Sequence, residues 1–366
     1  MKTQLLTLFG LAVVCGPVLA DAAKDEWERG MEQRLQRLEE RAQSQASDAG
    51  EPQQKTNGAE EGANWFDAIE LAGLIEVEAS RVSPQQGDST SDVNVATVEL
   101  GVEAKVNPWV EAEILLLYEE ETDNDGDLNV DTALITLADP QANWFIKAGR
   151  NTLPFGLYPT QMISDPLTLE LGETNDTAIE AGYGVDGLEF SLFLFQGDQN
   201  DKADNLGAQL GYETEIAGVT SRFNLGYLDN LAESDAIVDG AWVSVDDKMA
   251  AWVASVEFGI GPWTLIGEYL DARDGFADAA DQSPAAHNLE LGYGFELADH
   301  PANVAIGYQG TDDAEDANWE LPEKRLIGAF SIELLEATEL GIEFKRDETY
   351  SGERENSVTA QLAVSF

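Results

Sequence analysis

Residues 356 to 366 read Asn-Ser-Val-Thr-Ala-Gln-Leu-Ala-Val-Ser-Phe. Val358, Ala360, Leu362, Val364 and Phe366 fall on one face of a strand, while Thr359 and Gln361 join the small Ser357, Ala363 and Ser365 on the other. A strand about ten residues long, strictly alternating and ending on an aromatic, suits the closing strand of a membrane β-barrel. Lipid offers no hydrogen bonds, so strands cross it only where every backbone group is paired around a closed ring. The edge strand of a soluble sandwich is the alternative left open by this segment alone.

Working back toward the amino terminus, the same theme repeats. Sixteen alternating segments are expected, beginning near residues 66, 93, 109, 128, 143, 177, 188, 204, 219, 249, 262, 286, 302, 324, 337 and 356. In 96 to 106, Ala96, Val98, Leu100, Val102, Ala104 and Val106 stand opposite Thr97, Glu99, Gly101, Glu103 and Lys105. Glu and Gly facing inward with apolar residues outward invert the needs of a soluble sandwich and meet those of a water-filled barrel. Connections alternate as well. Asn107-Pro108, Asp139-Pro140-Gln141, Asp186-Gly187, Gly261-Pro262 and the stretch from Ala298 to Pro301 are tight turns, and those between them are long and acidic. Trp65, Trp144 and Trp263 at one set of strand ends, and Tyr118, Tyr227, Tyr269 and Tyr308 at the other, form two interfacial belts. The expected fold is an all-β transmembrane barrel of about 16 antiparallel strands over residues 64 to 366, with a short amino-terminal helix before it.

Residues 1 to 20 have the form of an export signal: Lys2, an apolar run from Leu5 to Val14, and small residues around Ala20. Cys15, the only cysteine, lies inside it, so disulfide and thiol chemistry are not expected of the mature protein. Residues 21 to 45 carry Met31, Leu35, Leu38 and Ala42 at heptad spacing, an amphipathic periplasmic helix that could stand alone or enter a coiled coil. Residues 46 to 63 are a polar linker. No apolar run is long enough for a spanning helix. Seventy acidic residues against twenty basic ones give a formal net charge of −50, which excludes nucleic acid as a partner. The acidity fits either a saline habitat or a channel that prefers cations.

The connection from Asn151 to Asp176 is too apolar for an exposed loop, containing Leu153-Pro154-Phe155-Gly156-Leu157-Tyr158-Pro159. It is expected to pack inside the barrel and narrow it, or else to lie over a neighbouring subunit. Gly149-Arg150 running into Leu153-Pro154-Phe155-Gly156, then Met162 through Thr174, resembles the LbtU family of siderophore porins, outer-membrane barrels related to the legiobactin receptor of Legionella. The resemblance extends to the leader, the short helix and the barrel. It implies passage of a ferric siderophore by facilitated diffusion without an energy-coupled receptor, and brings no assigned ligand residues. Independently, the chain has no room for the 22 strands and plug of an energy-coupled receptor.

Lys147, Arg150, Phe155, Tyr158, Asp165, Glu170 and Glu173 are the candidates for the constriction or for ligand contact. Strand parity turns Lys105, Lys147, Arg222, Arg325 and Lys345 inward, together with Glu76, Glu78, Glu99, Glu103, Glu111, Glu113, Glu257, Glu268 and Glu343. Such charges either face one another as opposed rows that orient polar solutes, or pair across strands and hydrate the lumen. Asp123-Asn124-Asp125-Gly126-Asp127 is an incomplete calcium loop and reads better as a solvated outer loop. His287 and His300 lie near turns and no nucleophile sits in a catalytic setting, so neither catalysis nor a cofactor is expected. The expected partners are a ferric siderophore or another small polar solute, outer-membrane lipid and lipopolysaccharide. A homo-trimer is an open possibility for assembly.

Overall fold

The computed structural model describes residues 69–120, 126, 128–139, 141–197, 202–239, 248–273, 283–314 and 321–366. The leader, helix and linker expected before residue 64, Trp65, and all of the Asp123–Asp127 stretch but Gly126 lie outside the described residues.

Sixteen strands follow one another: β1 (Ile69–Pro84), β2 (Thr90–Asn107), β3 (Val110–Tyr118), β4 (Leu128–Asp139), β5 (Ala142–Thr152), β6 (Asn175–Val185), β7 (Leu188–Phe195) and β8 (Asn205–Ile216). They continue as β9 (Val219–Leu228), β10 (Ala251–Ile260), β11 (Trp263–Ala272), β12 (Ala285–Leu297), β13 (His300–Asp312), β14 (Lys324–Leu335), β15 (Thr338–Glu348) and β16 (Arg354–Ser365). Each pairs antiparallel with its sequence neighbours, and β1 pairs with β16 from Leu74↔Ser365 to Pro84↔Glu355, closing the barrel. At the seam, Gly73 N–H donates to the Phe366 carbonyl at 2.8 Å and Phe366 N–H returns the bond at 3.0 Å. No strand edge is left for lipid to meet.

The alternation read from sequence sorts the two faces. Leu71, Leu128, Ile179 and Ile306 are exposed on the outside, whereas Glu76, Glu99, Asn288, Glu290 and Gln309 are buried within. Short turns close one end. Asp186-Gly187 (φ 51° and 80°) and Ala217-Gly218 (φ 55° and 77°) both have the paired positive φ values that match the twist of a two-residue hairpin. Sequence reading found the first of these and passed over the second, since Ala217 gives no sign of a left-handed conformation. Two irregularities within the strands also escaped it, besides three beside the short turns. The register slips between Leu115 and Leu116, leaving Asp131 of β4 without a partner on β3, and Asp131 and Thr132 are both buried. A second slip falls between Glu76 and Val77.

The connection between β5 and β6 spans residues 153 to 174 rather than 151 to 176, because Asn151 pairs with Asp176 and Thr152 with Asn175. It folds into the lumen and contains a short helix, α1 (Leu167–Gly172). The connection after β9 also turns inward, through a 3-10 turn (Leu231–Glu233) and α2 (Asp235–Asp239). Together they build an apolar core inside the barrel: Phe155, Leu169 and Leu171 pack with Leu231, Ile237, Phe193, Phe195 and Leu270. Part of the lumen beside β6 to β12 is therefore solid.

Candidate permeation site

The inward loop has backbone N–H groups that water cannot fully serve, and the barrel wall supplies the acceptors. Glu268 of β11 accepts from the Leu157 and Tyr158 amides at 3.2 and 3.1 Å, from Thr168 Oγ1 at 2.6 Å, and from Ser255 Oγ. On β12, Glu290 takes the Gln161 amide and Thr160 Oγ1, both at 2.8 Å. Glu343 of β15 takes the Ile163 and Ser164 amides at 2.7 and 3.0 Å and Ser164 Oγ at 2.6 Å. Charge-assisted bonds of this kind are stronger than neutral ones, and each carboxylate clamps one turn of the loop. Gly226 lets the Phe155 carbonyl come close, since a Cβ there would sit 1.9 Å from that oxygen. Tyr158 holds φ 50°, unusual for a bulky residue, and its phenol lies where a Cβ on Gly172 would be 2.6 Å away.

Arg325 of β14 completes the attachment. Its guanidinium, with a side chain 5% exposed, reaches Glu170 at 3.0 Å, the Asp165 carbonyl at 3.2 Å and Asp347 at 3.0 Å. Lys345 donates to Ser164 Oγ at 3.2 Å. The loop is thus bound to the wall at β9, β11, β12, β14 and β15.

The wall at β1 to β4 is acidic. Glu76 and Glu78 come from β1, Glu99 and Glu103 from β2, Glu111 and Glu113 from β3, and Asp131 from β4. The basic residues of the lumen pair with acids: Lys105 of β2 stands 3.7 Å from Glu111, Lys147 of β5 3.3 Å from Glu180, and Arg222 of β9 3.5 Å from Glu213 and 4.0 Å from Glu257. The loop adds Asp165, Glu170 and Glu173. Burial, then the charges of Glu170, Glu119 and Glu76, push the Asp165 carboxyl well above the usual range, with Arg325 acting against them. Glu173 is pushed the same way by burial and by Asp235, Asp165, Asp131 and Glu119. Loop and wall carboxylates therefore lie within each other's fields.

Of the seven candidates for constriction or contact, Asp165 and Glu173 lie within this acidic cluster and Glu170 is paired with Arg325. Phe155 and Tyr158 are buried in the apolar core and serve to hold the loop. Lys147 is occupied with Glu180, and Arg150 stands in the ladder opposite Ala133 and Thr177. Alternation over 289 to 297 turns Glu290 inward, but sequence reading did not give it a role in holding the loop. The clue was available in the loop: a long run of backbone donors with few acceptors of its own.

A closed sixteen-stranded barrel with an apolar exterior, a polar lumen and an inward loop has the fold of the porins, and it resides in the bacterial outer membrane. OprB of Pseudomonas putida has this fold at a TM-score of 0.62 and 9% identity, over 82% of this chain and 95% of that one. The anion-selective porin from Comamonas acidovorans matches at 0.59 and 11%, over 82% and 99%. DcaP, an outer-membrane channel of Acinetobacter baumannii, matches at 0.58 and 15%, over 81% and 97%. These neighbours are channels and not enzymes. In sequence, the chain is 25% identical over 338 residues to a UPF0422 protein of Coxiella burnetii, covering 81% of this chain and 72% of the relative. It is 26% identical over 353 residues to a UPF0422 protein of Legionella pneumophila (strain Paris), covering 81% and 66%. The chain therefore spans about two thirds of the length of that Legionella relative. No family model matches the chain.

Proposed function

We propose that the protein is a diffusion channel for small hydrophilic solutes that favours cations, with selectivity set where residues 153 to 174 face β1 to β4. The observation that carries this reading is the charge of the gap. Carboxylates come from both of its sides, while Arg325 and Lys147 are already engaged by acidic partners. A low-dielectric wall around like charges concentrates counter-ions and repels anions. The test is the reversal potential of the reconstituted protein under a potassium chloride gradient. A cation-selective potential supports the reading, and an anion-selective one ends it.

A second reading rests on one stretch, Gly149 to Thr174, which resembles siderophore porins. In it the same passage admits a ferric siderophore by facilitated diffusion. Growth of a deletion strain on a defined ferric siderophore as sole iron source tests it, and unchanged growth counts against it. The proposal also takes in an export leader over residues 1 to 20, a periplasmic helix over 21 to 45, contact with lipopolysaccharide at the outer leaflet, and assembly as a homo-trimer. Trimers are supported by one fold neighbour, the Vibrio cholerae OmpT, which was solved in a trimer form.

A further inference from the structure

The outward face of the barrel is apolar over its middle, and polar residues gather toward the long-loop rim, among them Arg150, Asp271 and His287. Four of the twenty basic residues of this strongly acidic chain stand on the outer faces of adjoining strands at the long-loop rim. Lys324, Glu348 and Arg354 form one row across β14, β15 and β16. One step nearer the bilayer centre, Arg346 pairs with Asn356, and the next row places Arg81 of β1 opposite Val358. The first row is self-compensated, since Glu348 meets Arg354 at 2.7 Å and Glu323 meets Lys324 at 2.6 Å. The guanidiniums of Arg81 and Arg346 are not. Arg346 donates to Asn356 Oδ1 at 2.7 Å, a neutral acceptor, and Arg81 has no ion pair among the described residues.

Arg81 and Arg346 lie two strands apart, about 10 Å in the hydrogen-bonding direction. Both side chains are long enough to meet over Asn356 between them. Immediately below is a groove of about 600 Å³ lined by Ala79, Arg81, Val93, Val358 and Ala360, with Asp92 also at its edge, its carboxylate accepting from the Val93 amide at 2.8 Å. Small side chains hollow the surface there, while Val93 and Val358 leave it apolar. The aromatic belt of this rim, formed by Tyr118, Tyr227, Trp252, Tyr269 and Tyr308, does not continue across β14 to β2, where the basic residues stand instead.

Two uncompensated guanidiniums above an apolar groove, at outer-leaflet depth, match a phosphorylated glycolipid. Arginine binds phosphate oxygens through parallel N–H donors, and an acyl chain fills the groove toward the bilayer centre. We propose that this groove is a binding site for a diphosphorylated lipid A headgroup, with Arg81 and Arg346 on phosphate and one acyl chain over Ala79 and Ala360. The proposal rests on the outer-membrane reading above and is independent of what the lumen conducts.

The test is native mass spectrometry of the full-length barrel in detergent, titrated with diphosphorylated lipid A. One lipid should bind per barrel, and the Arg81→Gln/Arg346→Gln double variant should bind at least roughly tenfold more weakly. Its single-channel conductance should match that of the native protein, which separates loss of the site from loss of the fold or of the channel. Dephosphorylated lipid A should bind poorly, and free inorganic phosphate should compete poorly, because it lacks the acyl chain. Equal affinity in the double variant overturns the site, as does full displacement by inorganic phosphate. Cross-linking of Ala360→Cys between copies in native membranes also overturns it, by placing a second copy of the chain in the groove.

Discussion

At the scale of single residues, the barrel places carboxylates in two distinct roles. Glu268, Glu290 and Glu343 are acceptors for a loop that has entered the lumen, while Asp165 and Glu173 are loop carboxyls buried among other acids. Replacing Glu268 by Leu strands the Leu157 and Tyr158 amides and the Thr168 hydroxyl, each at about 1–3 kcal/mol. The loop then loosens, and single-channel recordings should show larger and noisier openings than the native protein. An unchanged, quiet conductance would show that the clamp does not hold the constriction. The two loop carboxyls predict a pH response. Their pKa values are raised in the folded protein, so their favourable contribution is complete below the ordinary carboxyl value of about 4. It is lost as pH climbs through the raised values, when the loop face becomes charged. Cation preference should therefore grow as pH rises, and Asp165→Asn/Glu173→Gln should flatten that dependence. A slope identical in the double variant would remove these two groups from the gap.

At the scale of elements, the loop over residues 153 to 174 depends on apolar packing as much as on its clamps. Leu171 is fully buried in the core shared with α2 and the inner face of β6 to β12. Leu171→Ala should cost about 2–5 kcal/mol of that packing, enough to release the loop locally while the strands stay paired. Limited proteolysis would detect the change as new cleavage between residues 153 and 174; a cutting pattern like that of the native protein would contradict it. These elements also show what could be read in advance. Strand starts were legible to within about three residues, because an apolar exterior and a polar lumen impose a two-residue period on every strand. The inward path of residues 153 to 174 was legible from its excess of Leu, Phe and Pro. The inward turn of Leu231 to Asp239 was not, since Asp and Glu there masked the few apolar residues that meet the core. Nor were the bulges, which depend on how neighbouring strands share a register and leave no trace in alternation.

At the scale of the whole molecule, two chemical surfaces divide the work. The exterior is matched to hydrocarbon, with a basic patch over β14 to β1 at the long-loop rim, and the lumen is partly filled by the two inward connections. A net charge of −50 is compatible with life in brine, but the distribution matters more than the sum: Lys105, Lys147 and Arg325 each sit beside a carboxylate, and Glu76, Glu99 and Glu173 have no ion pair among the described residues. The closed hydrogen-bonded ring also predicts that the folded protein migrates faster than its heated form on detergent gels. Identical migration would argue against closure. The most direct test of the central claim is the reversal potential of single channels in a planar bilayer under a potassium chloride gradient at neutral pH. The acidic gap predicts a potential displaced toward that of potassium; a potential displaced toward that of chloride, or a barrel that carries no current, would contradict it.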